Sequence, residues 1–560
     1  MHRRTWLSIA ALAVGTALLV AAGVAAPSAE SKSSAASAAK IRSGGTLRVN
    51  IAGSDVDAID PSIAYGTTSW NMEYATALKL LNYPDARGAR GTRIRPDGAS
   101  RYTISGNGRV YTFFIRPGYR FSNGERVTAR SYAYALNRSL NRELQSPAFQ
   151  FIADPNATNI VGAERARTRG GNASGIRTRG NRLIIRLTRP NPAFLAELTM
   201  PFYQAMSTRL PRNREVINVN DRNDLPSAGP YYIVSRDPNR SIVMRRNPNY
   251  RGPRPHRLQQ INFRMQVNLQ SGFNEVEAGQ ADYQEGIPPA EHAGLRRRFG
   301  VNRSQYWVYP TNCTSYIALN NANPLFRGNV RLRKAVNFAI NRAAMTAQYG
   351  VAGGPPTDQI LPPLIPGYRN ARIYPNRPNL NRARQLARGA TRTGRGILYH
   401  GLTPPGPQVA ELVRASMRAI GLNLELRGYR GFAIYEAAGR RGADFAMTVG
   451  TGWCKDYPDP YDFINILLYG GNIQAENNNN LAYFNNPTYN RRMNRAARLR
   501  GQTRYRVYGQ LDIDISRNQA PWASWRIPNN RFFIGRRVNP RSFVYQPVYE
   551  NPAYTLLALR

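Results

Sequence analysis

The sequence contains few of the side chains that enzymes use for acid–base, nucleophilic and metal chemistry, with four histidines and two cysteines among 560 residues. His2, His256, His292 and His400 are too widely scattered to have the spacing of metal ligands. Neither a Gly-x-Ser-x-Gly motif nor a phosphate-binding glycine loop is present. We therefore expect a protein that is not an enzyme and carries no metal or cofactor.

Acidic residues and lysine are also scarce, since 33 Asp and Glu oppose 77 Lys and Arg and only five of these are lysine. The net charge of +44 has two interpretations. One is attraction to anionic polymers or membranes, and the other is a composition bias shared by a whole proteome. The second is favoured because the arginines are spread along the chain. The arginine-rich residues 165–182 include no aromatic ring to stack on bases, so we expect no nucleic-acid partner.

Long apolar runs are limited to one, over residues 6–24, which approaches the roughly 20 residues that a membrane span requires. The run follows two arginines and precedes small residues, which is the pattern of a secretion signal. We predict cleavage after Ser28, which makes residues 1–28 the signal peptide and the Ser/Ala-rich residues 29–40 a flexible leader.

The export signal has no lipoprotein cysteine, because Gly23 follows Val20-Ala21-Ala22 at the position that a lipid-bearing cysteine would occupy. We expect the chain to be secreted across the cytoplasmic membrane, to the periplasm or the outer face of that membrane, and not to be a lipoprotein. An uncleaved signal that anchors the chain as a single helix stays open. Two cysteines behind such a signal favour one disulfide, Cys313 to Cys454, over two buried free thiols.

The whole sequence is 42% hydrophobic, and the mature chain is long and apolar enough for two or three lobes with their own cores. Residues 45–52 alternate apolar and polar, which predicts a first strand. Residues 231–235 and 241–246 predict a hairpin. Residues 331–345 predict one amphipathic helix with a buried apolar face.

The second half of the chain alternates strands and helices. Residues 396–399 and 422–426 predict strands on either side of a helix at residues 408–420, with Gly421 placed to end that helix. Together with the strands and hairpin of the first half, this βαβ unit predicts a mixed α/β fold.

Several motifs occur in order along nearly the whole mature chain. They are Tyr-Thr-Phe-Phe-Ile-Arg-Pro-Gly-Tyr-Arg-Phe-Ser-Asn-Gly at 111–124, Gly-Pro-Tyr-Tyr at 229–232, Arg-Asn-Pro-Asn-Tyr at 246–250, Gly-Gln-Ala-Asp at 279–282 and the helix-like segment 330–342. This order resembles the extracellular solute-binding proteins of family 5, the dipeptide- and oligopeptide-binding proteins of ABC transporters. The family usually has aspartate where this chain has Asn341, which we expect to be a helix-surface position.

The resemblance implies a bilobal periplasmic-binding-protein-like α/β fold of class II, with a hinge between the lobes. Lobe I is expected at residues 41–308 with an inserted subdomain at about residues 86–192. Lobe II is expected at residues 309–520, and residues 521–560 are expected to return to lobe I.

The resemblance also implies a ligand site. The aspartate aligned with Asp456 pairs with the α-ammonium of a bound peptide, and backbone groups of Gly452, Trp453 and Cys454 pair with the peptide main chain. A Cys313–Cys454 disulfide would brace this segment. Two other interpretations stay open: Asp456 caps a turn, and Trp453 belongs to the core.

The function implied is that of a monomeric receptor that captures peptides between two lobes and delivers them to an ABC transporter permease. Another small solute, such as a nickel complex or a sugar, stays open as the ligand on the same scaffold. A basic adhesion or scaffold protein that binds anionic envelope polymers is the alternative from a different class.

Overall fold

The alternating segment near residue 45 forms the central strand of a seven-stranded sheet. The computed structural model describes residues 41–53, 55–153 and 159–560, so the predicted signal peptide and leader lie outside the described residues. The elements up to residue 310 are β1 (Thr46–Ala52), α1 (Thr67–Thr76), β2 (Leu81–Asn82), α2 (Gly88–Gly91), β3 (Arg95–Pro96), β4 (Ala99–Ser105), β5 (Val110–Ile115), α3 (Ala129–Ser139), α4 (Phe149–Ile152), α5 (Ala163–Arg169), β6 (Ile176–Arg179), β7 (Arg182–Arg186), α6 (Phe194–Glu197), β8 (Tyr231–Asp237), β9 (Ser241–Arg246), β10 (Gln260–Val267), α7 (Leu269–Ala278), β11 (Tyr283–Glu285), α8 (His292–Phe299) and β12 (Tyr306–Pro310).

The elements after residue 310 are β13 (Cys313–Leu319), α9 (Val330–Ala339), α10 (Arg342–Ala347), α11 (Leu380–Ala387), β14 (Arg395–Gly401), α12 (Gly406–Arg418), β15 (Asn423–Tyr429), α13 (Ala433–Ala438), β16 (Met447–Cys454), α14 (Tyr461–Leu468), α15 (Pro487–Ala497), α16 (Gly501–Asn518), β17 (Trp522–Arg526), β18 (Asn529–Ile534), β19 (Tyr545–Gln546) and β20 (Asn551–Pro552). Single 3-10 turns lie at Pro201–Tyr203, Pro289–Glu291, Gly470–Asn472 and Pro540–Ser542.

The seven-stranded sheet of lobe I has the order β12-β18-β11-β1-β10-β9-β8. Strand β1 pairs in parallel with β10 and β11, and its Leu47, Val49 and Ile51 are buried in the lobe core. Strands β8 and β9 pair antiparallel, which confirms the hairpin predicted from the sequence. A separate four-stranded sheet, β4-β5-β7-β6, lies within the stretch predicted as an inserted subdomain.

The five-stranded sheet of lobe II has the order β15-β14-β16-β13-β17. Its β14-α12-β15 unit is the βαβ unit predicted from the sequence, and the two strands pair in parallel. Gly421 has a φ of +81°, which a glycine adopts without steric cost, and it lies three residues after the end of α12 at Arg418, two residues earlier than the predicted end at residue 420. Val336 of α9, Val413 of α12 and Leu398 of β14 lie in one buried hydrophobic cluster of the lobe.

The single helix predicted at residues 331–345 is wrong, because the structure divides this stretch into α9 and α10. Ile340 has an extended backbone (ψ 143°), and the side chain of Asn341 accepts a hydrogen bond from the amide of Ala344 at 3.0 Å. Asn341 is therefore the N-cap of α10 and not a helix-surface residue. The sequence did not reveal the break, because the apolar spacing of α9 continues without interruption into α10.

The chain crosses between the lobes twice, at β12–β13 and at β17–β18. Strands β12 and β18 pair in lobe I, and β13 and β17 pair in lobe II. Thr311 joins the two crossings, since its hydroxyl donates to the carbonyl oxygen of Pro528 at 2.7 Å. Both crossings therefore lie a few residues after the predicted boundaries at 309 and 521, because β17 still extends the lobe II sheet.

Buried arginines in lobe II bind backbone carbonyl groups. Arg342 is fully buried, and its guanidinium donates to the carbonyl oxygens of Ser524 (2.7 Å) and Asn337 (2.8 Å). Arg333 donates to the carbonyl oxygen of Gln519 at 2.8 Å. Burial lowers the pKa of Arg342 to about 10, so the group stays charged at neutral pH. An acid-poor chain thus satisfies these cations with the backbone.

The cap at Asn341 yields a stability prediction. Asn341→Ala removes the acceptor for the Ala344 amide, and we expect the free energy of unfolding to fall by about 1 kcal/mol. Asn341→Asp is the matched control and should be nearly neutral, because aspartate caps a helix as well as asparagine does. Urea denaturation followed by circular dichroism measures both, and equal midpoints for the alanine and aspartate variants would contradict the cap assignment.

Candidate ligand-binding site

Strand β16 carries the predicted site segment out of the lobe II sheet. It pairs antiparallel with β13, so that Cys454 lies opposite Cys313 and Trp453 opposite Thr314. A disulfide joins Cys313 and Cys454. Because β13 follows the first crossing directly, the disulfide ties the site segment to the strand that enters lobe II.

The chain turns sharply after β16 to enter α14. Pro458 and Pro460 lack an amide hydrogen and interrupt the strand. Between them, the side chain of Asp459 accepts the amide hydrogen of Tyr461 at 2.9 Å and pairs with Arg504 at 2.7 Å. Asp459 and Arg504 are both buried. This turn brings Asp462 back to Asp456, so that the two residues contact each other.

Asp456 faces lobe I across the cleft. One of its carboxylate oxygens, Oδ2, accepts a hydrogen bond from the hydroxyl of Tyr65 at 2.7 Å, between residues 391 positions apart. The carboxylate that accepts a turn amide is that of Asp462, whose Oδ2 lies 2.9 Å from the amide nitrogen of Asp456. This arrangement weighs against Asp456 as a turn cap.

Trp453 is half-buried and packs against a hydrophobic core cluster that contains residues of both lobes. Its indole nitrogen donates to Asp462 Oδ2 at 3.3 Å, and its ring meets that of Tyr65 edge-on at 6.1 Å between centroids. On its other sides the Tyr65 ring contacts Phe151 and Phe202 of lobe I. The cleft beside Asp456 is therefore lined with aromatic rings.

The backbone of Gly452 is already hydrogen-bonded to a tyrosine of α13. The Gly452 amide donates to the hydroxyl of Tyr435 at 2.9 Å, and that hydroxyl donates to the Gly452 carbonyl oxygen at 3.1 Å. Strand β14 pairs with β16 as far as Val449. Beyond Val449 this edge of β16 pairs with no further strand in the described part of the chain, and the Tyr435 hydroxyl takes up the backbone groups of Gly452.

The electrostatics of the site are dominated by two neighbouring carboxyl groups. Burial raises the pKa of Asp456 to about 7, and hydrogen bonds from Tyr65 and Asp462 counteract part of this rise. Burial and the nearby Asp456 raise the pKa of Asp462 well above its usual range. Asp456 retains partial exposure, whereas Asp462 is fully buried.

Lys455 connects the site segment to the crossing between the lobes. Its ammonium lies 2.6 Å from Oε1 of Glu550, and both side chains are buried. The same oxygen accepts hydrogen bonds from the backbone and side-chain nitrogens of Asn312, each at 2.6 Å. The carbonyl oxygen of Glu550 accepts a hydrogen bond from Asn530 at the start of β18. Glu550 therefore contacts both crossings and the site segment.

The sequence did not identify four residues of this arrangement: Tyr65, Tyr435, Asp462 and Glu550. Tyr65 and Glu550 come from distant parts of the chain, and no local pattern marks them. Asp462 had a signal, because Asp456, Asp459 and Asp462 recur every three residues in a chain with few acids.

Two lobes joined by two crossings, with a charged cleft between them, define a binding protein of the class II architecture. Residues 93–475 match the profile of the bacterial extracellular solute-binding proteins, family 5 Middle, so the chain belongs to this family. Proteins of this family are binding proteins. Among the residues that the structure describes, no helix is both long and apolar enough to cross a bilayer.

Relatives of known name cover most of the chain at low identity. Oligopeptide-binding protein OppA of Bacillus subtilis is 23% identical over 72% of this chain and 75% of its own. Heme-binding protein A of Haemophilus influenzae is 26% identical over 92% of both chains. The structure of the Helicobacter pylori binding protein DppA in complex with the peptide STSA superposes with a TM-score of 0.77 and 21% identity, over 92% of this chain and 98% of that one.

Glu550 yields a prediction about the buried ion pair. Glu550→Ala leaves the ammonium of Lys455 buried without its partner, which should cost about 3–5 kcal/mol of unfolding free energy. Combining it with Lys455→Met should recover much of this loss, because no buried charge remains. Chemical denaturation measures both variants. If the double variant is no more stable than the single one, the buried pair is not the source of the loss.

The disulfide yields a second prediction. Replacing Cys313 and Cys454 by serine should lower the unfolding free energy by about 5 kcal/mol, since the bridge closes a loop with a sequence separation of 141 residues. Ligand affinity should also fall, because the segment that carries Asp456 loses its brace. Adding reductant should destabilise the wild type but not the serine variant. An unchanged ligand affinity in the serine variant would contradict the bracing role.

Proposed function

We propose that this protein is an extracytoplasmic receptor that captures peptides between its two lobes and delivers them to the permease of an ABC importer. The observation that carries the proposal is the position of Asp456, a carboxylate at the cleft that faces the Tyr65 hydroxyl of the opposite lobe. Two similar proteins support peptides as the ligand class, since one is named an oligopeptide-binding protein and the other has a structure in complex with a peptide.

The chemistry of an N-terminal ammonium fits this position. A cation that leaves water needs a charged partner, and a carboxylate can accept about four hydrogen bonds, of which Tyr65 uses one. The aromatic rings of Tyr65 and Trp453 beside the carboxylate would contact the first side chain of the ligand. Rings adapt to many apolar side chains, so this contact would add affinity with little sequence preference.

The main chain of a peptide would pair with the edge of β16 beyond Val449, in the manner of an added strand. Such pairing uses groups that every peptide has, which suits a receptor of broad specificity. Gly452 could then exchange its hydrogen bonds to Tyr435 for bonds to the ligand. Cys454 would contribute through its backbone, while its side chain stays in the disulfide.

Closure would follow from contacts with both lobes. A ligand that touches Asp456 in lobe II and Tyr65 in lobe I binds tightly only when the lobes are together, so it shifts the population towards the closed form. The receptor would work as a monomer, without enzymatic activity of its own. It would act outside the cytoplasmic membrane after export by the predicted signal at residues 1–28, without a lipid anchor.

Binding of free-amine peptides tests this function. Titration calorimetry and thermal shifts with mixed tri- to pentapeptides should show binding, with a stabilisation of about 2.7 kcal/mol at a ligand concentration 100 times the Kd. N-acetylated peptides should bind at least tenfold more weakly, because the charge partner of Asp456 is gone. Equal binding of free and acetylated peptides would refute the role of Asp456.

Variants locate that binding on the chain. Asp456→Asn should weaken free-amine peptides at least tenfold and acetylated peptides little. Asp237→Asn is the matched control, because Asp237 is an exposed carboxylate at the tip of the β8–β9 hairpin. Affinity should change little as salt rises, since an enclosed pair is weakly screened. An affinity that collapses with salt would instead favour binding of anionic polymers by the surface charge.

A further inference from the structure

Asp462 is a fully buried carboxyl group of the site with an unusual set of partners. Its Oδ2 accepts two N–H donors, the amide of Asp456 and the indole of Trp453. Its Oδ1 has no hydrogen-bond donor within the described part of the chain. The carboxyl groups of Asp456 and Asp462 lie within hydrogen-bond reach of each other.

Two adjacent carboxyl groups in such a place cannot both be ionised without a large cost. An ionised Asp462 would bury a charge with one oxygen unpaired, next to a second negative charge. A proton on Asp462 removes both problems, because Oδ1–H then becomes a donor and the carboxylate of Asp456 is its acceptor. The two carboxyls together then present a single negative charge to the cleft.

We propose that Asp462 carries a proton at neutral pH and donates it in a hydrogen bond to Asp456, so that it acts as the positioning residue for the carboxylate that binds the ligand ammonium. This inference rests on the proposed function. Asp456 is then held by two donors, the carboxylic acid of Asp462 and the hydroxyl of Tyr65, and its carboxylate still has acceptor capacity for a ligand ammonium. One negative charge then matches one ammonium.

The groups that face this pair do not supply a competing charge. Lys455 lies next to Asp456 in the chain, but its ammonium is bound to Glu550. Asp459, in the same turn, is paired with Arg504. The tyrosines that interact with the two carboxyls are buried, which raises the pKa of each of them, so they stay neutral over the physiological range. These neighbours are Tyr65, Tyr74, Tyr203 and Tyr457.

The arrangement predicts a pH profile for ligand affinity. Asp456 has a pKa of about 7, and a bound ammonium stabilises its ionised form, so affinity should rise with pH up to about 7. Below that value each captured ammonium displaces one proton from Asp456 to solvent, while the proton of Asp462 stays in place. Above about pH 8 affinity should fall again, because the α-amine of the peptide loses its own proton.

Infrared spectroscopy tests the proton without any ligand. The spectrum of the wild type minus that of Asp462→Asn, both at pH 7, should contain the C=O stretch of a protonated carboxylic acid. Subtraction removes the contributions of other buried acids such as Glu73 and Asp512, and Asp237→Asn should give no such band. A difference spectrum that shows only an ionised carboxylate would overturn the proposal.

Ligand binding tests the positioning role. With a free-amine tripeptide as the probe, Asp462→Asn should bind within about threefold of the wild type, because its amide donates in place of the acid. Asp462→Ala should lose about tenfold or more, because the charged Asp456 loses a hydrogen bond. Thermal melts of both variants establish that they fold. Equal affinities of the alanine and asparagine variants would refute positioning by a hydrogen bond.

The two arms separate this inference from the proposed function. If the wild type binds no peptide of any kind, the proposed function fails, while the infrared difference still decides whether Asp462 holds its proton. If peptides bind with the expected preference for a free amine but the acid band is missing, the proposed function stands and the inference about Asp462 fails.

Discussion

The pairing of β13 with β16 is the constraint on which the candidate site depends. Only two residues separate the end of β12 from the start of β13, so the position of β13 in lobe II is set by the crossing from lobe I. The ladder and the disulfide then place the end of β16 beside that crossing. Without this pairing, the loop from Lys455 to Asp462 would have no fixed direction, and Asp456 would not face Tyr65.

Local patterns in the sequence predicted a large part of the scaffold. The β14-α12-β15 unit, the β8–β9 hairpin and strand β1 each depend on periodicity and turn residues within a short stretch. The break between α9 and α10 was missed, because two consecutive amphipathic helices that bury one face give the same apolar periodicity as one long helix. The asparagine cap that separates them was visible only as a departure from the family pattern.

The site was predictable only on one of its two sides. Cys454 and Asp456 lie in one motif, and their resemblance to a known family identified that segment directly. The partners of Asp456 and of the neighbouring Lys455 come from the loop before α1 and from the C-terminal stretch, far away in sequence, and a single sequence carries no record of such pairings. The bond between Tyr65 and Asp456 and that between Lys455 and Glu550 therefore required coordinates.

The arginines that bind carbonyl oxygens have a consequence for the conditions under which the scaffold holds together. An arginine–carboxylate bridge weakens in acid because the carboxylate takes up a proton, whereas a backbone carbonyl has nothing to titrate in that range. Through such carbonyls, Arg333 ties α9 to Gln519 at the end of α16, and Arg342 ties α10 to Ser524 of β17. Lobe II thus keeps part of its internal framework through acidification, even as the carboxyl pair at its cleft changes charge.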